Sequence, residues 1–283
     1  MIIDCHVHTA PTPESKESLL DGLASAGIDQ IVLLSHHPAS FHRKTAVEGQ
    51  VYGKYSSPAS SLAQVMEWAA FSDSIIPFFW IDPLDADAFE QVDQAVAAGI
   101  AGFKVIANRF FPGDERPMQV WERIAQADKP ILFHSGIAFG NGPWSQYNRP
   151  VGFEPLFEIP SLRFALAHVS WPWCDECLAV YGHWENRKNL GTTSTQMFID
   201  TTPGTPLIYR KEVFSKIYTI GYHIEDNLIF GTDCNSNYSS DYAKQIIAMD
   251  NVALDHAGAT AVQREKYFGK NITRFLKGYG CEE

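Results

Sequence analysis

The sequence predicts a parallel α/β architecture, closed into a single (β/α)8 barrel of the TIM type that takes in residues 1–283 as one domain. Three observations carry this reading. Strand-like and helix-like stretches alternate from one end of the chain to the other, which is the pattern of βα units. Most strand-like stretches are continuous apolar runs, such as Phe164-Ala165-Leu166-Ala167, and such runs suit parallel strands covered on both faces. Eight of them are present, and no Gly-X-Gly-X-X-Gly follows the first, so an open dinucleotide-binding sheet lacks its signature.

The expected strands are Ile2–His6, Gln30–Leu34, Ile75–Ile81, Gly102–Ile106, Pro130–His134, Leu162–His168, Met197–Thr201 and Leu228–Thr232. Helical patterns lie between them at Ser15–Ala26, Ser61–Ala70, Ala86–Ala98, Met118–Ala127, Cys174–Tyr181 and Leu207–Ile220, and after the last strand at Asp241–Asp250 and Thr260–Leu276. Gly27, Gly99 and Gly221 follow three of these helices, where a left-handed residue ends a helix. Two longer connections, Ser35–Ser60 and Ser135–Pro160, are rich in Pro, Gly, His and aromatic residues. In a barrel such βα loops build the active-site rim.

Composition narrows the function classes. A formal net charge of −11 leaves no basic stripe for nucleic acid or an anionic membrane surface. The longest apolar runs, such as Ile131-Leu132-Phe133, fall far short of the ~20 residues that span a bilayer. The chain opens directly into a strand without a basic leader segment, and its five cysteines are an odd number. Both features predict a cytoplasmic protein without a disulfide framework. A small-molecule substrate is the expected partner, and a homo-oligomer is compatible with the sequence.

Reactive residues of a (β/α)8 enzyme sit at the C-terminal ends of different strands. Those ends carry His6 and His8 in Ile3-Asp4-Cys5-His6-Val7-His8, then Lys104, His134, His168, and Asp233 in Phe230-Gly231-Thr232-Asp233. On a strand, residues i and i+2 share a face about 6.6 Å apart, and one ion bonded at about 2.0–2.1 Å to each imidazole nitrogen can touch both rings. His-X-His alone is a common pattern, and a lone Asp after Gly-Thr is usually a helix cap. Taken together, four histidines and one aspartate at strand ends point to a metal site.

The ordered set of motifs resembles the amidohydrolase superfamily, and within it the amidohydrolase-related branch that includes aminocarboxymuconate-semialdehyde decarboxylase-like enzymes and lactonases. The matching stretches are Ile3–His8, Leu132-Phe133-His134-Ser135-Gly136, Leu166-Ala167-His168-Val169-Ser170, Leu228–Asp233 and the closing segment Lys266–Leu276. The resemblance implies one divalent ion held by His6, His8, His134 and Asp233, with zinc expected first and manganese or iron as alternatives. It implies His168 as a catalytic group beside a metal-activated water, and Asp233 as the group that shuttles a proton. A strand-4 lysine is carboxylated in two-metal relatives. Here Lys104 is expected to stay unmodified and to bind a substrate anion.

Other candidates stay open at this point. Arg109 and Arg149 are placed to clamp a substrate carboxylate or to form surface ion pairs, and His36 and His37 either touch substrate or are solvated. Cys174-Asp175-Glu176-Cys177 lacks the second pair a zinc ribbon needs and reads as structural. Trp144, Tyr147, Phe153 and Phe157, like Tyr52, Tyr55 and Trp80, either wall the pocket or pack a lid. The expected activity is metal-dependent hydrolysis of a C–O or C–N bond in a small carboxylated or cyclic substrate. Non-oxidative decarboxylation at the same site is the alternative, and a catalytically silent ligand-binding barrel is a distant one.

Overall fold

Alternation of apolar strands with one-faced helices does produce a barrel. A computed structural model of the chain describes residues 1–42, 57–139 and 142–277; Tyr52 and Tyr55 lie outside them. The strands are β1 (Ile3–His8), β2 (Gln30–Leu34), β3 (Ile75–Trp80), β4 (Gly102–Val105), β5 (Ile131–Phe133), β6 (Arg163–Leu166), β7 (Gln196–Asp200), β8 (Leu228–Ile229) and β9 (Cys234–Asn235). All pair in parallel in the order β8-β7-β6-β5-β4-β3-β2-β1-β9.

The expected eighth strand, Leu228–Thr232, is shortened to Leu228–Ile229, and a second short piece, β9, follows beyond its expected end. β8 pairs with β7, β9 pairs with β1, and in the gap the Cys5 N–H donates to the Phe230 carbonyl at 2.9 Å. The interrupted strand closes the ring. β1 also runs two residues further than expected, so His6 and His8 both lie within it.

Around the sheet run α1 (Lys16–Ala26), α2 (Ala39–His42), α3 (Pro58–Ala69), α4 (Ala88–Ala97), α5 (Glu115–Gln126), α6 (Cys174–Asn189), α7 (Leu207–Thr219), α8 (Ser240–His256), α9 (Ala261–Glu265) and α10 (Asn271–Leu276). Their ends follow local chemistry. The Ser15 hydroxyl caps α1 by accepting from Ser18 N–H, and Gly27 closes it at φ 73°. Ser239 caps α8 in the same way, and Thr260 with Gln263 forms a capping box on α9. The Ser135–Pro160 connection, expected as loop, contains two 3₁₀ segments at Trp144–Asn148 and Pro150–Glu158. None of the helices among the described residues is long and apolar enough to cross a membrane.

Two apolar layers result. Alternate strand residues, including Leu33, Phe79, Phe103, Phe133 and Ile199, pack outward against the helices. The others, including Ile3, Leu34, Phe78, Leu132, Ala165 and Phe198, fill the barrel, and Ile272, Phe275 and Leu276 of α10 plug its base. Phe275 meets Phe198 edge to face, with ring centroids 5.1 Å apart. With the base filled, the polar strand ends of the opposite face are left as the place for chemistry.

Candidate metal centre and active site

The first strand delivers two imidazoles to one point. His6 and His8 are buried, and their Nε2 atoms stand 3.2 Å apart. Asp233 reaches the same point from the break between β8 and β9. Its Oδ1 lies 3.5 Å from His6 Nε2 and 3.4 Å from His8 Nε2, longer than well-formed hydrogen bonds, and it has no closer partner. A tetrahedral ion with bonds of about 2.0–2.1 Å holds its ligand atoms about 3.3 Å apart. The triplet His6, His8, Asp233 therefore has the edges of a cation site, and the orphaned acceptor fits that use.

Backbone strain puts Asp233 there. It sits at φ 57°, a left-handed conformation that costs a non-glycine residue about 1–2 kcal/mol. Asp4, one turn of pleat below, supports it: its carboxylate accepts from Thr232 N–H at 2.9 Å, Thr232 hydroxyl at 2.5 Å, Tyr238 hydroxyl at 2.9 Å and His6 N–H at 3.1 Å. Burial pushes the Asp4 carboxyl up to about 6 despite these four donors.

His134 and His168 flank the triplet. Their rings are 4.9 Å apart, and His168 lies 5.4 Å from His6. His134 Nε2 donates to the Ile137 carbonyl at 3.2 Å, which leaves Nδ1 with the lone pair. His134 is thus beside the triplet rather than one of its three close atoms. His168 starts a run of left-handed residues, with φ 63° at His168, 46° at Val169 and 57° at Ser170. The run is fastened by Thr205 hydroxyl and Trp171 N–H, which both donate to the His168 carbonyl. Such strain persists only where the surroundings over-determine it, typically at functional sites.

Lys104 is fully buried with its Nζ 3.3 Å from His6 Nε2. Burial draws its ammonium down to about 8, against the pull of Asp200 and Asp233. Burial also holds His6, His8, His134 and His168 below their ordinary range, Lys104 adding to it at His6 and His168 adding to it at His134. Neutral imidazoles are the form that binds an ion. Burial alone would raise the Asp233 carboxyl, yet His6, His8 and His168 together hold it well below the carboxylate range.

The remaining candidates divide. His37 is buried, not solvated, with Phe41 at 5.6 Å and Trp80 at 6.1 Å, and Trp80 is 5.6 Å from His8. Trp144 joins this wall through Phe41 at 4.8 Å, whereas Phe153 and Phe157 pack in the layer between strands and helices, and Tyr147 meets the exposed Phe111. Arg109 is held on the rim by the buried Asp82 at 2.7 Å. Arg149 pairs with Glu176 at 2.7 Å, lies over Trp173 and is more than half exposed. Cys174 and Cys177 are buried free thiols, the latter pushed up to about 12 by burial. Strand-end reading missed Asp200, the last residue of β7, whose Oδ2 accepts from His6 Nδ1 at 2.8 Å. Asp200 follows Phe198-Ile199 near the end of an expected strand, a position that by itself does not set it apart from any other strand-end carboxylate.

Solved structures share this fold. They include 2,6-dihydroxybenzoate decarboxylase complexed with 2,6-dihydroxybenzoate, at TM-score 0.64 and 15% identity, covering 98% of this chain and 99% of that one. A probable 2-pyrone-4,6-dicarboxylic acid hydrolase from Acinetobacter baumannii, with citric acid bound, matches at TM-score 0.61 and 11% identity over 98% and 99% of the two chains. A dihydroxybenzoic acid decarboxylase from Polaromonas sp. JS666, with manganese and 2-nitroresorcinol, matches at TM-score 0.60 and 16% identity over 98% and 96%. At such identities the likeness is one of fold. None of the curated proteins compared matches the chain. The sequence profile of the family described as amidohydrolase, however, matches residues 3–278, from the first residue of β1 to beyond α10, and the chain belongs to that family of metal-dependent enzymes.

Proposed function

We propose that the chain hydrolyses a C–O or C–N bond in a small carboxylated or cyclic substrate, with one divalent ion held by His6, His8, His134 and Asp233. The observation that carries this reading is the triplet whose ligand atoms stand 3.2–3.5 Å apart at the mouth of the barrel. Imidazole with carboxylate suits zinc first, and manganese or iron next. Such an ion, when bound, polarises a substrate oxygen and brings the pKa of water toward neutrality.

The chain's own groups account for the rest. His134 offers Nδ1, since its Nε2 hydrogen is used on Ile137. Asp233 takes a proton from the attacking water and returns it to the leaving group. His168 orients that water or the substrate oxygen. Lys104 is the buried cation for a substrate anion, with Arg109 at the rim and His37 at the side. Arg149 is left to the outer edge by its pairing with Glu176. Free thiols at Cys5, Cys174, Cys177 and Cys234 suit a reducing compartment, the cytoplasm.

The aromatic wall of Trp80, Phe41 and Trp144 next to His8 favours one second reading, decarboxylation of a flat ring acid, in which Asp233 or His168 protonates the carbon that loses CO2. Elemental analysis of purified protein, followed by a panel of lactones, cyclic amides and aromatic acids, tests both. About one equivalent of metal and a new carboxylate without CO2 supports hydrolysis, and CO2 release supports the second reading. Protein that carries no metal, and binds none when zinc or manganese is supplied, refutes both.

A further inference from the structure

The ladder between β5 and β6 stops short of two site histidines. Its last paired residues are Phe133 and Leu166, one residue before His134 and two before His168. Strand pairing alone therefore does not fix one imidazole against the other, yet the rings stand 4.9 Å apart.

Two further ties join the loops that carry them. Ser135, next to His134, and Ser170, two residues after His168, are completely buried, and their hydroxyl oxygens lie 2.7 Å apart. That distance calls for a hydrogen between the oxygens. The Ser135 oxygen also lies 3.1 Å from the Asn148 carbonyl. Either Ser135 donates to Ser170, or Ser135 donates to Asn148 and Ser170 donates to Ser135. Both assignments leave one bond between the hydroxyls, so the tie does not depend on the choice. The second tie runs through the backbone. His134 Nε2 donates to the Ile137 carbonyl at 3.2 Å, Ile137 N–H to the Trp171 carbonyl at 2.9 Å, and Trp171 N–H to the His168 carbonyl at 3.1 Å. Gly136, at φ 105°, lets the loops come this close. A Cβ there would stand 2.4 Å from the Trp171 carbonyl oxygen and 3.0 Å from the Ser170 carbonyl carbon, an approach that glycine permits.

We propose that Ser135 and Ser170 are positioning residues. Their hydroxyl contact clasps the loops after β5 and β6, and so sets His134 against His168 where strand pairing has ended. This deepens the reading of His134 as a ligand and His168 as the group that orients water or substrate, and rests on it for its purpose. The clasp itself does not. Loosening it acts on rate rather than on substrate binding, because Lys104 and Arg109, the proposed anchors of a substrate anion, belong to β4 and the loop after it.

The test uses the metal-stripped full chain with 13C- and 15N-labelled histidine. Rings this close give a nuclear Overhauser cross-peak between His134 and His168 protons in wild type. Ser170→Ala is the mildest cut, since Ser135 then keeps the Asn148 carbonyl as its acceptor. With the rings displaced by about 1 Å, the cross-peak should weaken about threefold and kcat should fall about ten- to a hundredfold, with KM held within about threefold. Ser135→Ala should do the same, and the double variant should lose no more than the worse single, because each removes the same interaction. A wild type without the cross-peak overturns the proposal, as does an unchanged cross-peak or an unchanged kcat in Ser170→Ala. Losses that multiply in the double variant overturn it too. Should Ser170→Ala not fold, Ser135→Ala decides by the same measurements. Wild type that binds no zinc or manganese would refute the metal reading, while the cross-peak would still judge the clasp.

Discussion

Gly204→Ala asks whether the position of His168 matters apart from its presence. Gly204 lies directly against that imidazole: a methyl group there would stand 2.6 Å from His168 Cβ, 2.8 Å from Cγ and 3.1 Å from Nδ1. Carbon atoms in contact prefer about 3.5–4.0 Å, so one partner must move by about 1 Å. His168 cannot give freely, because its left-handed backbone is pinned through its carbonyl by Thr205 and Trp171. Overpacking of this kind costs about 1–3 kcal/mol. In proteins slightly smaller than this one each kcal/mol lowers Tm by about 2–4 °C. Moving His168 also disrupts its 2.8 Å bond with Thr202. A misplacement of about 1 Å can cost on the order of 100-fold in rate.

The measurements are urea unfolding, turnover of whichever substrate the panel yields, and zinc affinity of the stripped protein. The expected outcome is a loss of about 1–3 kcal/mol, a rate reduced by about two orders of magnitude, and zinc affinity kept close to wild type, since the atoms that the added methyl meets first all belong to His168 and not to a proposed ligand. A variant as active as wild type would show that His168 does not act where the structure holds it. A variant that loses zinc in proportion to activity would make His168 a ligand instead.

Further outcomes follow from burial and charge. Folded-state pKa values of His6, His8, His134 and His168 lie below those of the unfolded chain, so their contribution is present above about pH 6.5 and is lost as pH falls, at up to about 1.4 kcal/mol per pH unit for each. Asp4, raised to about 6, acts with the opposite sign between about pH 4 and 6; denaturation of metal-free Asp4→Asn should therefore show a steeper loss on acidification than wild type, and an equal slope would contradict the buried Asp4 carboxyl. Arg149→Ala should change stability by less than about 1 kcal/mol and leave activity within twofold, whereas Arg109→Ala strips the buried Asp82 of its cation and should cost about 1–3 kcal/mol in urea unfolding. Lys104→Met takes away the buried cation that faces Asp200 and Asp233 and should lower Tm of the metal-free protein, and it should raise KM for a carboxylated substrate at least tenfold; an unchanged KM would remove Lys104 from substrate binding.

How far the sequence reached depended on how local each signal was. β1 to β7 are apolar runs closed by glycines or turns, and each could be placed within a few residues. α6 runs eight residues past its expected end at Tyr181, because Gly182–Asn189 is mostly polar and only Gly182 and Trp184 of it are buried. The Thr260–Leu276 run, expected as one helix, is broken by a π turn at Lys266–Lys270. Gly269 passes so near Met1 that a Cβ would stand 2.9 Å from its carbonyl oxygen, a contact between chain ends that no local pattern contains. In the site, His-X-His and Gly-Thr-Asp announced themselves by type and spacing. Asp200 did not, since a single carboxylate after Phe198-Ile199 means nothing until the fold sets it beside His6, 194 residues away.

Closure of the barrel and assembly of the site are one structural event. A continuous eighth strand would alternate its side chains and pair with both neighbours. Here β8 stops after Ile229 opposite Asp200, β9 resumes at Cys234 opposite Val7, and between them the left-handed backbone of Asp233 turns its carboxylate to His6 and His8. Asp4 makes the break affordable by holding Thr232 through both backbone and hydroxyl. The same Asp4 accepts from the His6 backbone, so one carboxylate ties the first strand's imidazoles to the last strand's acid. The register that closes the barrel therefore also sets the spacing of the three candidate ligands. A change that lets the last strand slip along the first would lose that spacing before it lost the fold.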